Sequence, residues 1–385
     1  MSLFTKKENK ASSPDAADAT GILPLQTLNA LLRDGAIQVD EPVAEGQVQP
    51  ASIDLRLGSK AYRVRASFLP GENSTVGEKI DTYQMHVIDL SEGAVLERGC
   101  VYVVPLMEQL RLPDRLTGMA NPKSSTGRLD IFTRLIADYA CEFDKVEAGY
   151  EGPLYAEIAP RTFSVLARKG DRLSQLRIRR GKKDYSDADT RRLHARIPLA
   201  QTGDGSEVII SNGVALSIDL KGADDTGLIG YRARHHTPLI DLSKVATYDP
   251  DDFWEPLYTG HGESTNDSLI LNPDDFYILA SREAVTIPPD HAAEMVPYDT
   301  SVGEFRVHYA GFFDPGFGYA GAGGTGTRAV LEVRSHDVPF VLQHAQTIGR
   351  LVYEPMAAVP DQIYGMEIGS NYQQQTLALA KQFRR

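Results

Sequence analysis

The chain has 385 residues, of which 42% are hydrophobic and 24% charged, an ordinary balance for a folded globular protein. Its formal net charge of −12 disfavours broad attachment to nucleic acid, which depends on many Lys and Arg contacts to phosphates. No apolar run approaches the roughly 18 residues of a membrane-spanning helix, so we expect no membrane partner. The length exceeds one small core and predicts more than one domain.

The predicted elements are mostly short strands. Residues 1–20 are polar, lack the apolar core of a secretory signal, and are predicted to be a disordered lead-in. Apolar residues at helical spacing predict a short helix over residues 25–32. Alternation of polar and apolar residues then predicts strands over residues 48–58, 61–65, 100–105 and 109–112. Such turn-bounded segments are typical of an antiparallel sandwich or barrel.

The chain contains two cysteines, Cys100 and Cys141, which are far apart in sequence. Neither belongs to a Cys-x-x-Cys pair, which argues against a disulfide framework and against a thiolate zinc site. This usage predicts a reducing compartment, the cytoplasm.

Residues 123–128 read Lys-Ser-Ser-Thr-Gly-Arg. Arg supplies a planar fork of donors, Lys a mobile charge, and Ser short neutral donors, while Gly lets the backbone approach a ligand. In an acidic chain this local basic cluster predicts a polyphosphate site that comprises Lys123, Ser124, Ser125 and Arg128. The alternative is that the two serines only cap a turn.

Glu157 ends a strand-like apolar run at residues 154–157. A carboxylate is costly to bury there without a partner, so Glu157 is a candidate base. The alternative is a strand residue that faces solvent or forms an internal salt bridge.

The second half of the sequence repeats the first. Residues 295–304 align without a gap on residues 119–128, so that Asp299 falls on Lys123 at a shift of 176 (299 minus 123). Glu332 falls on Glu157 at a shift of 175 (332 minus 157). The near-constant offset predicts a gene duplication and two similar all-β halves.

We place the halves at residues 21–176 and 206–385. Between them, residues 177–205 open with a basic cluster, become Asp-rich and contain few apolar residues, which predicts a linker. The alternative is that the basic cluster is a phosphate-facing tail of the first half.

Residues 49–58, with the sequence Gln-Pro-Ala-Ser-Ile-Asp-Leu-Arg-Leu-Gly, and the motif at 123–128 resemble the deoxycytidine triphosphate deaminases. Those enzymes share a fold with the trimeric deoxyuridine triphosphatases. Asp314-Pro315-Gly316 is similar to the family's Asp-Pro-Gly turn, and the double length resembles its duplicated branch. The resemblance implies a mainly β fold, with two tandem jelly-roll or β-barrel halves and a few short helices.

The resemblance also implies a chemistry and an assembly. In this family three units form a ring with each site at a unit border, and a Glu activates the water that attacks C4 of cytosine. The products are dUTP and ammonia, no zinc is needed, and magnesium is bound through the nucleotide triphosphate. If halves occupy rings of three, a homo-oligomer of three chains is the smallest closed assembly.

The halves depart from the family pattern in opposite ways. The first keeps Lys123 and Arg128 but has Glu-Ala-Gly at 147–149 in place of Asp-Pro-Gly, whereas the second has Asp299 and Glu304 at the cation positions. Those carboxylates would repel a triphosphate.

We therefore predict a composite site. The phosphate residues of one half, 123–128, would hold the triphosphate, while Glu332, Ala310 and Asp314 of a neighbouring half would handle the base. The other pairing, which contains Glu157, should be inactive.

The sequence is compatible with three functions. Deamination of dCTP to dUTP leads, because a Glu follows the Asp-Pro-Gly turn. The second is cleavage of dUTP, alone or after deamination, to dUMP and pyrophosphate, with an Asp such as Asp314 activating water. The third is a non-catalytic nucleotide-binding assembly protein.

Overall fold

The computed structural model describes residues 19–182, 185–222, 226–262, 264, 267–297, 305–308, 311–322, 325–335, 338–365 and 377–385, with only the backbone at 297 and 305–308. The predicted lead-in therefore lies almost entirely outside the described residues. So do three residues on which the composite-site prediction rests: Asp299, Glu304 and Ala310.

The N-terminal half is built mainly of antiparallel strands. Its elements are β1 (Gly21–Ile22), α1 (Leu25–Arg33), β2 (Ile37–Val39), β3 (Val48–Gln49), β4 (Ser52–Arg56), β5 (Lys60–Val64), α2 (Val76–Tyr83), β6 (Gln84–Asp89), β7 (Ala94–Leu96), β8 (Val101–Arg111), β9 (Leu116–Pro122), α3 (Ser124–Gly127), β10 (Ile131–Ala137), β11 (Lys145–Val146), β12 (Glu151–Pro160), β13 (Val165–Ala167) and β14 (Arg172–Arg180). The helix predicted at 25–32 is α1, and the predicted strands correspond to β3 with β4, β5, and the two ends of β8.

The C-terminal half has the same character. Its elements are α4 (Asp187–Arg196), β15 (Ala200–Thr202), β16 (Val214–Ser217), β17 (Leu228–Ala233), β18 (Ile240–Asp241), a 3-10 turn (Pro250–Asp252), β19 (Trp254–Tyr258), β20 (Ser268–Leu271), β21 (Phe276–Val285), β22 (His291–Pro297), β23 (Phe305–His308), β24 (Phe312–Phe313), a second 3-10 turn (Ala320–Ala322), β25 (Thr327–Ser335), β26 (Phe340–Gln343) and β27 (Thr347–Pro355). The predicted mainly β class with a few short helices is confirmed.

The sheets repeat the same topology in both halves. In the first half one sheet runs β10-β12-β8-β5-β6 with β2 beside β8, and in the second half the order is β23-β25-β21-β17-β19 with β15 beside β21. The other sheet runs β11-β9-β14-β4 in the first half and β24-β22-β27-β16 in the second. The matching orders confirm the predicted internal duplication.

The two halves share buried aromatic side chains. Phe163 of the first half packs edge-on against Phe253 and Trp254 of the second, with ring centroids 5.9 and 5.5 Å apart. Phe383 near the C-terminus completes the group, with its ring centroid 5.3 Å from that of Phe253. All four side chains belong to one hydrophobic core cluster that contains residues of both halves, so burying them fixes the halves against each other.

Residues 177–205, predicted to form a linker, carry regular structure. Residues 177–180 are the end of β14, and the segment also contains α4 and β15, which occupy the places of α1 and β2 in the second half. The helix begins at a capping box in which Ser186 and Asp189 satisfy each other's backbone N–H groups. Only Thr190 and Leu193 of this helix are buried, so the helix needs few apolar residues. Its polar sequence therefore resembles that of a solvated connector.

Among the described residues, no helix combines the length and the apolar character that crossing a bilayer would require.

Candidate active site

A cavity of about 510 Å³ opens between the halves, and both contribute to its wall. Its volume is in the range of sites that enclose small molecules. The first half supplies polar and charged side chains, among them Asp54, Lys123, Ser124, Ser125, Arg128 and Arg172. The second half and the C-terminal tail supply Gly311, Phe313, Asp314, Phe317, Arg328, Glu332 and Lys381, among others. The structure thus brings together Lys123, Ser124, Ser125, Arg128, Asp314 and Glu332 within one chain.

A single helical turn presents the basic motif to this cavity. The chain leaves β9 and turns through α3, where the N–H groups of Thr126 and Gly127 both donate to the carbonyl of Lys123, at 2.8 and 3.0 Å. The N–H of Arg128 donates to the carbonyl of Ser124 at 3.0 Å. Because the turn folds the motif back on itself, both of its cations line the same cavity.

Four cationic side chains line the cavity at or near the motif at 123–128. Lys123 forms an ion pair with the buried Asp54, and the Arg172 guanidinium lies 3.5 Å from the same carboxylate oxygen. Burial and the charges of Lys123 and Arg172 lower the pKa of Lys381, which lies on the tail. Arg128 is the fourth, and its Nη1 donates to the carbonyl of Ala378 at 3.0 Å. An anion with several charges would relieve the mutual repulsion of these groups.

Glu332 lies in β25, the strand between β21 and β23, and is 5% exposed. Burial raises the pKa of its carboxyl to about 8, with the Arg128 guanidinium opposing the rise and Asp130 adding to it. A carboxyl with a pKa near neutrality can both take up and give back a proton at physiological pH. Its environment therefore suits a general acid or base more than a solvated strand residue.

Asp314, the first residue of the Asp-Pro-Gly turn, lines the same cavity as Glu332. Gly316 has a φ of 97°, and a Cβ there would meet the Tyr364 carbonyl oxygen at 2.7 Å, so glycine is required for both reasons. Asp314 Oδ1 accepts a hydrogen bond of 3.1 Å from Arg177. Phe313 and Phe317 pack at right angles, with centroids 5.2 Å apart, and give this wall an apolar surface on which a planar base could lie.

Glu157 lies away from the cavity. Arg134 Nη2 donates to its carboxylate at 2.6 Å, and the Arg134 guanidinium packs on the rings of Phe132 and Phe143, 4.6 and 3.5 Å from their centroids. In the strand register Arg134 is opposite Glu157, as His308 is opposite Glu332 in the other half. The carboxylate of Glu157 is therefore engaged by an arginine of its own sheet, which corresponds to the salt-bridge alternative stated above.

Ala310 lies outside the described residues, but its neighbour Gly311 lines the cavity. Within the described ranges, no three His, Cys, Asp or Glu side chains are grouped as a metal site would require.

Sequence reasoning did not assign Arg172, Lys381, Phe313 or Phe317 to the site. Arg172 begins the strand that carries the basic cluster, a weak signal for a cavity cation. Nothing in the sequence placed Lys381 beside the motif at 123–128, because that contact depends on where the tail packs.

Comparison with known proteins bears directly on this site. The model of the 2'-deoxycytidine 5'-triphosphate deaminase N-terminal domain matches residues 19–182, and that of the C-terminal domain matches residues 186–383. The chain belongs to the 2'-deoxycytidine 5'-triphosphate deaminase family. The resemblance noted in the sequence is thereby confirmed.

Solved and curated members of this deaminase family are similar to the chain. The crystal structure of the 2'-deoxycytidine 5'-triphosphate deaminase from Agrobacterium tumefaciens is 57% identical, with a TM-score of 0.82 over 88% of this chain and 99% of that one. The "dCTP deaminase, dUMP-forming" of Methanobrevibacter smithii is 28% identical over 36% of this chain and 69% of its own length. The "dCTP deaminase" of Alteromonas mediterranea is 29% identical over 33% of this chain and 64% of its own length.

The raised pKa of Glu332 predicts a pH-dependent cost to stability. Between its ordinary pKa of 4.5 and about 8, the folded carboxyl keeps a proton that the unfolded chain releases, so this group makes the fold less stable as pH rises. Gln carries no such proton. We expect the Glu332→Gln variant to gain in Tm relative to the wild type as pH increases from 5 to 8, as measured by thermal denaturation without nucleotide. A constant difference across that range would contradict the assignment.

Proposed function

We propose that this protein deaminates dCTP to dUTP and ammonia in the cavity between its halves. The observation that carries the proposal is a buried carboxyl with a pKa of about 8, Glu332, in the same cavity as the basic motif at 123–128. A deaminase needs a proton carrier beside the base and cations beside the triphosphate. Membership of the deaminase family supports the same reaction.

In this proposal Glu332 is the proton carrier. It accepts one proton from water as the water oxygen bonds to C4 of cytosine and passes it to the ring nitrogen N3. It then takes the proton of the new C4 hydroxyl and gives it to the exocyclic nitrogen as the C4–N bond breaks, so that ammonia leaves and C4 keeps the carbonyl oxygen of uracil. Its burial supports this role, because a carboxyl of ordinary pKa would be a weak base at neutral pH. Activation of water is thus assigned to a side chain rather than to zinc.

Lys123, Ser124, Ser125 and Arg128 would hold the triphosphate. Magnesium would be bound through the phosphate oxygens of the nucleotide, since this ion keeps several waters and favours phosphate ligands over protein cages. Two carboxylates of the cavity suit this arrangement, because Asp54 is paired with Lys123 and Asp314 with Arg177.

A second candidate is the bifunctional reaction, which releases dUMP and pyrophosphate. Two observations favour it: the relative from Methanobrevibacter smithii has "dUMP-forming" in its name, and Asp314 lies in the same cavity as Glu332. In this version a carboxylate such as Asp314 would activate water at the α-phosphate. The third candidate is a protein that binds nucleotides without turnover. That function would not explain why Glu332 is buried and keeps its proton.

The product mixture distinguishes these candidates. We expect the protein, incubated with dCTP and magnesium in the presence of a zinc-selective chelator, to release ammonia. Ion-exchange chromatography would then find dUTP if the protein only deaminates, or dUMP and pyrophosphate if it is bifunctional. Cleavage of added dUTP without attack on dCTP would favour a phosphohydrolase. Absence of turnover with both nucleotides would leave the binding protein.

We propose in addition that three chains assemble in the cytoplasm. The support is the pair of similar halves in each chain. Three chains contain six halves, which fill two rings of three. Native mass spectrometry should find a mass of three chains. A stable, active dimer would remove this proposal.

A further inference from the structure

We infer that Arg177 is a positioning residue that holds residues 312–314 in place in the wall of the cavity that contains Glu332. This inference rests on the proposed function for its effect on rate. The Arg177 side chain extends from β14 of the first half into the second half, where its Nη1 donates to the Ala293 carbonyl at 2.8 Å. Nη2 donates to the Phe313 carbonyl at 2.9 Å and to Asp314 Oδ1 at 3.1 Å.

The same guanidinium also packs on an aromatic ring. Its Cζ lies 4.0 Å from the centroid of the Phe312 ring, so Arg177 contacts three successive residues of the cavity wall. Arg177 is 4% exposed, and a buried cation is tolerated only when it is well paired. Here the carboxylate, two carbonyls and one ring supply that pairing.

Main-chain hydrogen bonds hold both flanks of the wall segment: the Met295 N–H donates to the Gly311 carbonyl at 2.9 Å, and the Gly316 N–H donates to the Ile287 carbonyl at 3.0 Å. The strand β24 consists of Phe312 and Phe313 and pairs with two residues of β22, Ala293 and Glu294. A two-residue strand contributes few ladder hydrogen bonds, whereas Arg177 joins this strand, the carbonyl of its neighbour Ala293 and the Asp314 side chain through one rigid group. Phe313 and Asp314 both line the cavity, so their positions depend on a residue of the other half.

A simpler role for Arg177 would be to join the two halves, and the chain offers a matched control for that role. Arg179 lies two residues further along β14 and also forms an ion pair with the second half, with its Nε 2.6 Å from Glu354 Oε1. The Arg179 side chain donates to Glu354 and not to residues 312–314, whereas the Arg177 side chain donates to Phe313 and Asp314. Loss of Arg179 therefore reports the cost of losing an ion pair between the halves without disturbing the wall.

The experiment compares Arg177→Met, Arg177→Lys and Arg179→Met in the full chain. We expect Arg177→Met to lower kcat for dCTP deamination by about 10²-fold, the effect of misplacing groups by roughly 1 Å, and to raise KM much less. Arg177→Lys should restore little, because an ammonium cannot reproduce the planar fork. Arg179→Met should lower Tm while kcat stays near that of the wild type.

Hydrogen–deuterium exchange without nucleotide provides a readout that does not depend on turnover. Amides of residues 311–317 should exchange faster in Arg177→Met than in the wild type, and at the wild-type rate in Arg179→Met. Unchanged exchange in Arg177→Met would overturn the inference. Equal losses of kcat in the two Met variants would do the same. If the wild type fails to deaminate dCTP while exchange rises only in Arg177→Met, the proposed function fails and the positioning role of Arg177 stands.

Discussion

We expect Glu332→Gln to lower kcat for dCTP deamination by about 10³-fold, within the range that a positioned general acid or base contributes. Gln preserves the size of the side chain but cannot accept the proton that water must lose. The cavity cations Lys123 and Arg128 are untouched, so KM for dCTP should change little. Initial rates of ammonia release over a range of dCTP concentrations separate the two constants.

Glu157→Gln is the matched control, because Glu157 is the repeat counterpart of Glu332. This variant should keep the wild-type rate, since Glu157 lies outside the cavity. It should also have a lower Tm, because Arg134 would lose the carboxylate that it contacts at 2.6 Å. If Glu157→Gln abolished turnover while Glu332→Gln retained it, the assignment of the two carboxyls would be reversed.

The fold was largely predictable because polar and apolar residues alternate along the sequence of its strands, as the two faces of a strand alternate in space. Strand β8 shows where the pattern failed: it runs unbroken over Val101–Arg111, but the sequence predicted two strands. The interruption falls near Glu108, which is fully buried. Arg56 Nε lies 2.8 Å and Gln47 Nε2 2.7 Å from its carboxylate. A buried ion pair whose partner is distant in sequence cannot be seen in a local pattern.

The basic cluster after residue 176 was harder to interpret, for the same reason. Arg177 and Arg179 look like solvated charges of a linker, yet each pairs with a carboxylate of the second half, Asp314 and Glu354. Those partners lie 137 and 175 positions further along the chain. Because charge alone does not reveal burial, only the packing of the halves distinguishes an interface arginine from a surface arginine.

The candidate site was predictable where a compact motif carried it. The residues at 123–128 were found from the chemistry of their side chains and the Asp-Pro-Gly turn from its resemblance to the family, and the structure places residues 123–128 and Asp314 on one cavity. Lys381 was missed because the tail reaches the cavity only through packing, with Phe383 fixed among core aromatic side chains. The repeat was thus needed to predict that two halves share one site, and the structure was needed to find that the tail contributes Lys381 to it.

Duplication explains how the two halves came to differ. Both inherit a buried Glu in the corresponding strand, but Arg134 engages Glu157 while Glu332 lies in a cavity near Arg128. With one carboxyl bound in a salt bridge, the first half contributes its basic motif at 123–128 to the cavity, which under the proposed function binds the triphosphate. The charge of Arg128 then acts on the surviving carboxyl across the boundary between halves, and this coupling can be measured.

We expect Arg128→Met to change both the affinity for dCTP and the pH dependence of the reaction. Loss of charge-assisted hydrogen bonds to phosphate should lower kcat/KM at pH 7 by about 10²-fold. The Arg128 guanidinium holds the pKa of Glu332 below the value that burial alone would give, so its removal raises that pKa further. Glu332 must be ionised to accept a proton, and kcat/KM therefore falls as pH drops through its pKa. The acidic limb of the profile should move to higher pH in the variant.

Arg172→Met separates the two effects of Arg128. Arg172 lines the same cavity and lies near Asp54, but its charge is not among the influences on the pKa of Glu332. This control should weaken dCTP binding while its acidic limb stays at the wild-type pH. Profiles of kcat/KM for wild type and both variants, measured from pH 5 to 9 at constant ionic strength, show whether the acidic limb moves in each variant. An acidic limb that does not move in Arg128→Met would show that this arginine acts on the triphosphate alone and does not lower the pKa of Glu332.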